Sequence, residues 1–270
     1  MILPATRWPT DEPCTKVRAV HPSAPPIKAM LLAAGRGERM RPLTDSRPKP
    51  LLQVRGQPLL RWLVDALARG GFTDLVINTA WLGEQIPDYF GAIPQAEGRP
   101  LSIRFSQEGL DFGAALETAG GIARVLPDLG EVFWALAADV YVPDFRFEPQ
   151  AVARFAQSDK LAHLWLVPNP PHNPAGDFGL SEDGLALNQH ASQTVPRFTF
   201  STIALYRREL FGPPWSDIAA GNPQGIKAGL APLLRRAMDN RRVSAELYTG
   251  AWADVGTPAR LAQLNEMTAS

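Results

Sequence analysis

The sequence predicts an α/β fold, in which a mainly parallel sheet is covered by helices on both faces. The first observation is a continuous apolar run at 29–34, which is typical of a strand buried on both sides. The second is the segment 57–69, whose apolar residues recur at helical spacing and which ends at Gly70 and Gly71. The third is the repeated alternation of such segments, which predicts βαβ units and therefore a Rossmann-like sheet.

The remaining elements follow in chain order. Short apolar or alternating runs predict strands at 74–78, 101–105, 131–138 and 161–167. Amphipathic segments predict helices at 83–90, 117–126 and 149–158. After Pro168 the composition changes, and the predicted elements are a hairpin around 182–184, strands at 198–206, 243–248 and 251–252, and helices at 228–238 and 258–267. This second half is expected to add a C-terminal, lid-like region for substrate binding.

Length and composition limit the class of protein. The 270 residues are 45% apolar and 20% charged, as in soluble globular proteins, and 27 basic residues balance 27 acidic ones. No global field therefore attracts nucleic acid or an anionic membrane. Cys14 is the only cysteine, no run approaches the ~20 apolar residues of a membrane-spanning helix, and no export signal is present, so we expect a cytoplasmic protein. Residues 1–26 are rich in proline and are predicted to be a disordered extension.

The stretch 30–50 carries the strongest functional signal. Gly35 and Gly37 follow the first strand and permit close backbone approach, and five cations lie within the next fourteen residues: Arg36, Arg39, Arg41, Arg47 and Lys49. A glycine turn with clustered cations suits phosphate binding, on a loop that its prolines are expected to keep extended. The dinucleotide-binding fingerprint does not fit because its third glycine is absent, and the Walker loop does not fit because its Gly-Lys-Ser/Thr triplet is absent. The alternative is a solvated basic loop.

Two carboxylates follow predicted strands near the expected phosphate loop. Asp139 comes directly after the apolar run that ends at Ala138, and Asp254 stands in the segment 252–257. Ligands of open parallel sheets bind beyond the carboxyl ends of the strands. Two such acids near phosphates would suit Mg²⁺, whereas the alternative for Asp139 is a turn or helix cap.

Five motifs in this order resemble those of the sugar-1-phosphate nucleotidyltransferases: the run 32–44 with 48–51, then 117–121, Asp139, 176–178 and 252–257. The resemblance covers about residues 28–265 and implies a nucleotidyltransferase domain at 27–270. It implies UTP and an N-acetylated sugar 1-phosphate as substrates, pyrophosphate as a product and Mg²⁺ as the cofactor. No nucleic acid or membrane partner is implied, and the oligomeric state is unassigned, with a monomer plausible.

Other functions stay open at this point. They are a mannose-1-phosphate guanylyltransferase, a glucose-1-phosphate uridylyl- or thymidylyltransferase, a glycosyltransferase, and a non-catalytic nucleotide-binding module. A glycosyltransferase often has Asp-x-Asp after a strand, and here Asp139 is followed by Val140 and Tyr141, without the second acid.

The resemblance implies roles residue by residue. Arg39, Lys49 and Asp139 would be catalytic, and Asp139 and Asp254 would bind the metal. The nucleotide would contact Ala33, Gly35, Gly37, Glu38, Arg39, Lys49, Glu108, Thr118, Ala119 and Gly120. The sugar phosphate would contact Ala137, Asn169 and Asp177. In one departure, Ala137 and Ala138 precede Asp139 where the family usually has glycine before this aspartate and its nearest members have Asn-Gly, which bears on a side-chain contact to the sugar at position 137.

Overall fold

The computed structural model describes residues 27–189 and 195–266. The predicted extension at 1–26 and the C-terminal residues 267–270 lie outside the described residues. The strands are β1 (Ala29–Leu32), β2 (Gln53–Val54), β3 (Gln57–Pro58), β4 (Asp74–Thr79), β5 (Gln95–Ala96), β6 (Arg99–Pro100), β7 (Ser102–Gln107), β8 (Val132–Ala137), β9 (Val140–Tyr141), β10 (Ala162–Val167), β11 (Phe178–Leu180), β12 (Ala186–Leu187), β13 (Arg197–Arg207), β14 (Val243–Leu247) and β15 (Ala253–Asp254).

The helices occupy the intervals between these strands. The α-helices are α1 (Leu59–Arg69), α2 (Gln85–Gly91), α3 (Glu108–Phe112), α4 (Glu117–Val125), α5 (Pro149–Gln157), α6 (Ala231–Asp239) and α7 (Pro258–Glu266). Short 3₁₀ helices lie at Glu38–Met40, Leu43–Asp45, Lys49–Leu51, Leu126–Asp128 and Arg208–Phe211. No helix in the described part of the chain is both long and apolar enough to cross a membrane.

A nine-stranded sheet forms the centre of the fold, in the order β12-β11-β13-β8-β1-β4-β7, with β10 paired to β13 and β14 paired to β10. Strand β1 pairs in parallel with β4 and β8, and β4 pairs in parallel with β7. The carboxyl ends of these four strands therefore meet at one edge of the sheet. The predicted α/β class with a mainly parallel sheet is confirmed. Strand β13 runs antiparallel to β8, β10 and β11, and it ends the parallel series.

Hydrophobic layers cover both faces of the sheet. Within β1, Leu31 packs with α1 and α5 in one cluster, and Met30 packs with α4 and α6 in the other. Successive residues of a strand point to opposite faces, so a strand covered on both sides needs apolar residues throughout. This explains the continuous apolar run that begins the fold.

Two local predictions were wrong. The strand expected at 251–252 lies at Ala253–Asp254, two residues later. The basic loop is not extended, because Glu38–Met40, Leu43–Asp45 and Lys49–Leu51 each form one 3₁₀ turn. Proline is compatible with the first positions of a helix, where its missing N–H would be unpaired, so Pro50 fits within the third turn.

Candidate active site

Close packing determines the shape of the loop after β1. Gly37 has φ of 65°, and a Cβ atom there would lie 3.2 Å from both Lys49 Cβ and Thr44 Cγ2. The Thr44 hydroxyl donates a hydrogen bond to the Gly37 carbonyl at 2.9 Å. Glycine is therefore required at position 37, because a side chain would be strained and would displace Lys49 or Thr44.

Two cations of this loop, Arg36 and Arg41, contact the loop itself. Arg36 donates to the Thr44 carbonyl at 3.0 Å and packs 3.7 Å from the ring centroid of Trp81, which donates to the same carbonyl at 2.9 Å. Arg41 and Arg36 also hydrogen bond to Asp45 and lower its pKa, with the Arg41 hydrogen bond as the largest cause. Arg36 and Arg41 therefore support the loop from outside.

A cavity of about 540 Å³ opens at the carboxyl ends of β1 and β8. Nine of the predicted site residues line it: Ala33, Gly35, Gly37, Glu38, Arg39, Lys49, Thr118, Ala137 and Asp139. Arg39 is exposed. The first strand, the basic loop, α4 and β8 thus contribute to one concave site of the size that small-molecule ligands occupy.

Lys49 and Asp139 form an ion pair inside this cavity. Lys49 Nζ lies 2.6 Å from Asp139 Oδ2, although the two residues are 90 positions apart in the chain. The Lys49 side chain is only 10% exposed, whereas 38% of the Asp139 side chain is accessible. Because a buried ammonium is poorly hydrated, it interacts strongly with a nearby anion. This pair brings together two of the three predicted catalytic residues.

Asp254 lies beside Asp139 but is held by other partners. Asp254 pairs with Val140 in the β9–β15 ladder, and the Val255 N–H donates to the Asp139 carbonyl at 2.9 Å. The Asp254 Oδ1 atom is 2.9 Å from His172 Nε2 and also accepts a hydrogen bond from Arg260. No sequence pattern indicated His172 or Arg260, because their proximity to Asp254 arises from tertiary packing.

The two acids could hold a divalent cation together with phosphate oxygens of a substrate. Within residues 27–189 and 195–266, no group of three or more His, Cys, Asp or Glu side chains could hold a metal alone. In the same residues no hydrogen bond reaches Asp139 Oδ1 or Asp254 Oδ2. Mg²⁺ commonly takes one or two carboxylates together with phosphate oxygens and water, which is the donor set that this edge of the sheet offers.

Glu108 lies behind the cavity wall. Its side chain is fully buried, with Asn78 Nδ2 donating to Oε1 at 2.7 Å and Leu116 N–H donating to Oε2 at 2.8 Å. Burial raises the pKa of the Glu108 carboxyl. Asn78 in turn accepts the Ala33 N–H at 2.7 Å and lines the cavity. The structure therefore places Glu108 in a bridge between the end of β1 and the loop before α4. Asn78 was not predicted from the sequence as a site residue, although a polar residue at the end of an apolar strand could have indicated it.

The start of α4 combines cavity-lining and packing residues. Glu117 and Thr118 line the cavity. The N–H groups of Ala119 and Gly120 donate to the Ala228 carbonyl at 2.9 and 3.1 Å, so they do not face the cavity. A Cβ atom on Gly120 would lie 2.4 Å from the Ile226 carbonyl oxygen. Gly120 therefore allows the 226–228 segment to pack against α4.

A second cavity of about 330 Å³ adjoins the first, and Leu32, Thr118 and Ala137 line both. Asp177 lines the second cavity, and its carboxylate accepts the Phe200 N–H at 2.8 Å. Asn169 is not at its wall. Its side chain holds the loop after β10, donating to the Arg197 carbonyl at 3.0 Å and accepting from the Thr199 hydroxyl at 3.0 Å.

The fold and the site together define an α/β protein with a cavity at the carboxyl edge of its parallel strands, lined by Arg39, Lys49 and Asp139. The family described as nucleotidyl transferase matches this sequence over residues 28–199. The chain therefore belongs to the nucleotidyl transferase family, and the predicted membership among the sugar-1-phosphate nucleotidyltransferases is confirmed.

Two relatives are similar over nearly their whole length. An N-acetylmuramate alpha-1-phosphate uridylyltransferase of Neisseria meningitidis serogroup B is 46% identical over 237 residues, which are 87% of this chain and 95% of that protein. A protein of the same name from Caulobacter vibrioides is 31% identical, over 89% of this chain and 96% of that protein. A Bacillus anthracis structure described as a glucose-1-phosphate thymidylyltransferase has a TM-score of 0.70 at 18% identity, covering 89% of this chain and 94% of that chain, and it supports the fold.

Proposed function

We propose that the protein transfers a uridylyl group from UTP to N-acetylmuramate α-1-phosphate, giving UDP-N-acetylmuramate and pyrophosphate. The observation that carries this proposal is the 46% identity to the Neisseria relative over 87% of this chain. The product is a cell-wall sugar nucleotide, so the proposed place of the reaction is peptidoglycan recycling in the cytoplasm.

The chain's own cations address the main barrier to this reaction. The attacking sugar phosphate is already an anion near neutral pH, so no general base is needed. The barrier is the repulsion between two polyanions and their alignment for in-line attack. Arg39 and Lys49 line the same cavity, where their positive charges would neutralise and orient the phosphates.

Asp139 and Asp254 would hold Mg²⁺ together with phosphate oxygens. When bound, the ion would supply positive charge that offsets phosphate repulsion. His172 and Arg260 would fix the Asp254 carboxylate through their contacts to Oδ1. Lys49, whose Nζ atom lies 2.6 Å from Asp139 Oδ2, would contact the reacting phosphates.

The second cavity would hold the sugar. N-acetylmuramate carries a carboxylate that glucose and mannose lack. Among the described residues that line this cavity, Arg235 is the only lysine or arginine. Its guanidinium donates to Asn188 Oδ1 at 2.7 Å and lies 5.3 Å from the Phe178 ring centroid, which orients it. A fixed arginine supports an acidic sugar as the substrate.

A pyrophosphate-release assay tests the proposal. The purified protein with Mg²⁺ is given UTP, GTP or dTTP, each with the 1-phosphates of N-acetylmuramate, N-acetylglucosamine, glucose and mannose. The expected result is the highest kcat/KM for UTP with N-acetylmuramate 1-phosphate. A higher kcat/KM for GTP with mannose 1-phosphate, or for UTP or dTTP with glucose 1-phosphate, would contradict it.

A further inference from the structure

Strand β13 departs from regular pairing beside the two cavities. It pairs with β10 through Ala204 opposite Leu164 and Phe200 opposite Leu166, so the register shifts between these pairs. Its pairing with β8 begins only at Ala204. The segment 201–203 is thus a bulge, which opens the sheet next to Ala137, the last residue of β8. Bulges of this kind commonly re-aim a side chain near an active site.

Thr202 stands at the centre of this bulge with a strained backbone. Its φ is 71°, in the left-handed region. A β-branched residue is a clear outlier there, because its side chain crowds the backbone. Contacts around Ser201 hold the bulge in place: its hydroxyl accepts the Ile203 N–H at 3.1 Å, and its carbonyl accepts Trp252 Nε1–H at 3.1 Å. Strain of this kind persists where the surrounding structure enforces it and is concentrated at functional sites.

The strained backbone directs the Thr202 hydroxyl towards the junction of the cavities. Thr202 lines the second cavity, and its Oγ1 accepts the N–H of Ala137, which lines both cavities, at 3.4 Å. Because the hydroxyl accepts from the protein, its own hydrogen is left to donate. The methyl group of Ala137 offers no hydrogen bond at the same place, and the Asp177 carboxylate already accepts the Phe200 N–H.

We propose that Thr202 contacts the sugar 1-phosphate, with its hydroxyl donating a hydrogen bond to a sugar oxygen at the junction of the two cavities. The proposal rests on the proposed transfer to a sugar 1-phosphate, but it does not depend on which sugar is used. A glycine at position 202 would accept the same φ without strain. Recognition of the substrate by the hydroxyl would explain why threonine stands there instead.

Three substitutions separate recognition from structure. Thr202→Ser keeps the hydroxyl, Thr202→Val keeps the shape and the strain, and Thr202→Gly removes both. Each variant is compared with wild type by steady-state kinetics with Mg²⁺ and the sugar phosphate that wild type uses best, and by urea unfolding. We expect Val and Gly to raise the KM for the sugar phosphate about three- to tenfold, as for the loss of one neutral hydrogen bond, with the KM for UTP unchanged. The Ser variant should stay within twofold.

The unfolding data give an independent readout. The Gly variant should unfold at a higher urea concentration than wild type despite its poorer KM, because the strain at position 202 is relieved. An unchanged KM for the sugar phosphate in both the Gly and Val variants would assign Thr202 to structure alone and overturn the proposal. Wild-type protein that releases no pyrophosphate with any sugar phosphate would instead overturn the proposed function, and this inference with it.

Discussion

Replacement of Glu108 by alanine tests the buried bridge behind the first cavity, the one that Lys49 and Asp139 line. The substitution removes the acceptors of the Asn78 amide and the Leu116 N–H, whose residues are 3% and 0% exposed. An unsatisfied buried donor costs about 1–3 kcal/mol, so the two together cost about 2–6 kcal/mol. Removing a buried carboxylate offsets part of this cost. We therefore expect a net loss of about 2–4 kcal/mol in the free energy of unfolding.

Urea unfolding followed by circular dichroism measures this loss. With a slope of about 2 kcal/mol per molar urea, the midpoint should fall by about 1–2 M. Glu84→Ala is the matched control, because Glu84 is exposed, and its free energy of unfolding should change by less than about 0.5 kcal/mol. The reasoning is refuted if the Glu108→Ala midpoint moves no further than that of the control. The KM for UTP should also rise, because Asn78 accepts the Ala33 N–H at the cavity wall.

Other predictions concern charge. Lys49→Ala and Asp139→Ala should each lower kcat by about 10²–10³, because Lys49 would contact the phosphates directly and Asp139 would hold the Mg²⁺ that offsets their charge. Lys160→Ala should leave kcat unchanged, because the Lys160 side chain pairs with Asp159 outside the cavity lining. A kcat within threefold of wild type for both Lys49→Ala and Asp139→Ala would rule out these roles. In the pyrophosphate assay, Arg235→Met should lower kcat/KM for N-acetylmuramate 1-phosphate, and this loss should be at least tenfold larger than the loss for N-acetylglucosamine 1-phosphate. Equal losses for the two sugars would show that Arg235 does not bind the carboxylate of N-acetylmuramate. Burial raises the pKa of the Glu108 carboxyl above its ordinary value of 4.5, so the folded protein binds the Glu108 proton more tightly than the unfolded chain does. The stabilisation that this proton gives is complete below pH 4.5 and is lost as the pH rises through the pKa of the folded state. Urea unfolding across pH should therefore show wild type losing stability relative to Glu108→Gln as the pH rises above about 4.5, and a constant difference would contradict the assigned cause.

The parallel core of the fold could be predicted because its signals are local. The run around Met30 and Leu31 is apolar throughout, since both faces of β1 are covered, and the stripe of α1 repeats at helical spacing. The antiparallel course of β13 could not be predicted in the same way. Its direction depends on which strands it meets, and no periodicity within the strand encodes that choice.

The sequence by itself determined the parts of this protein that depend on residue type and order: the α/β class, the glycine loop and the set of cations and acids placed after strands. Only the tertiary structure decided how each of these side chains is used. Arg36 packs on Trp81 while Arg39 lines the cavity, Glu108 is buried in a bridge, and Thr202 is held in a left-handed conformation. The physical reason is that burial, hydrogen bonding and strain depend on neighbours brought together from distant parts of the chain.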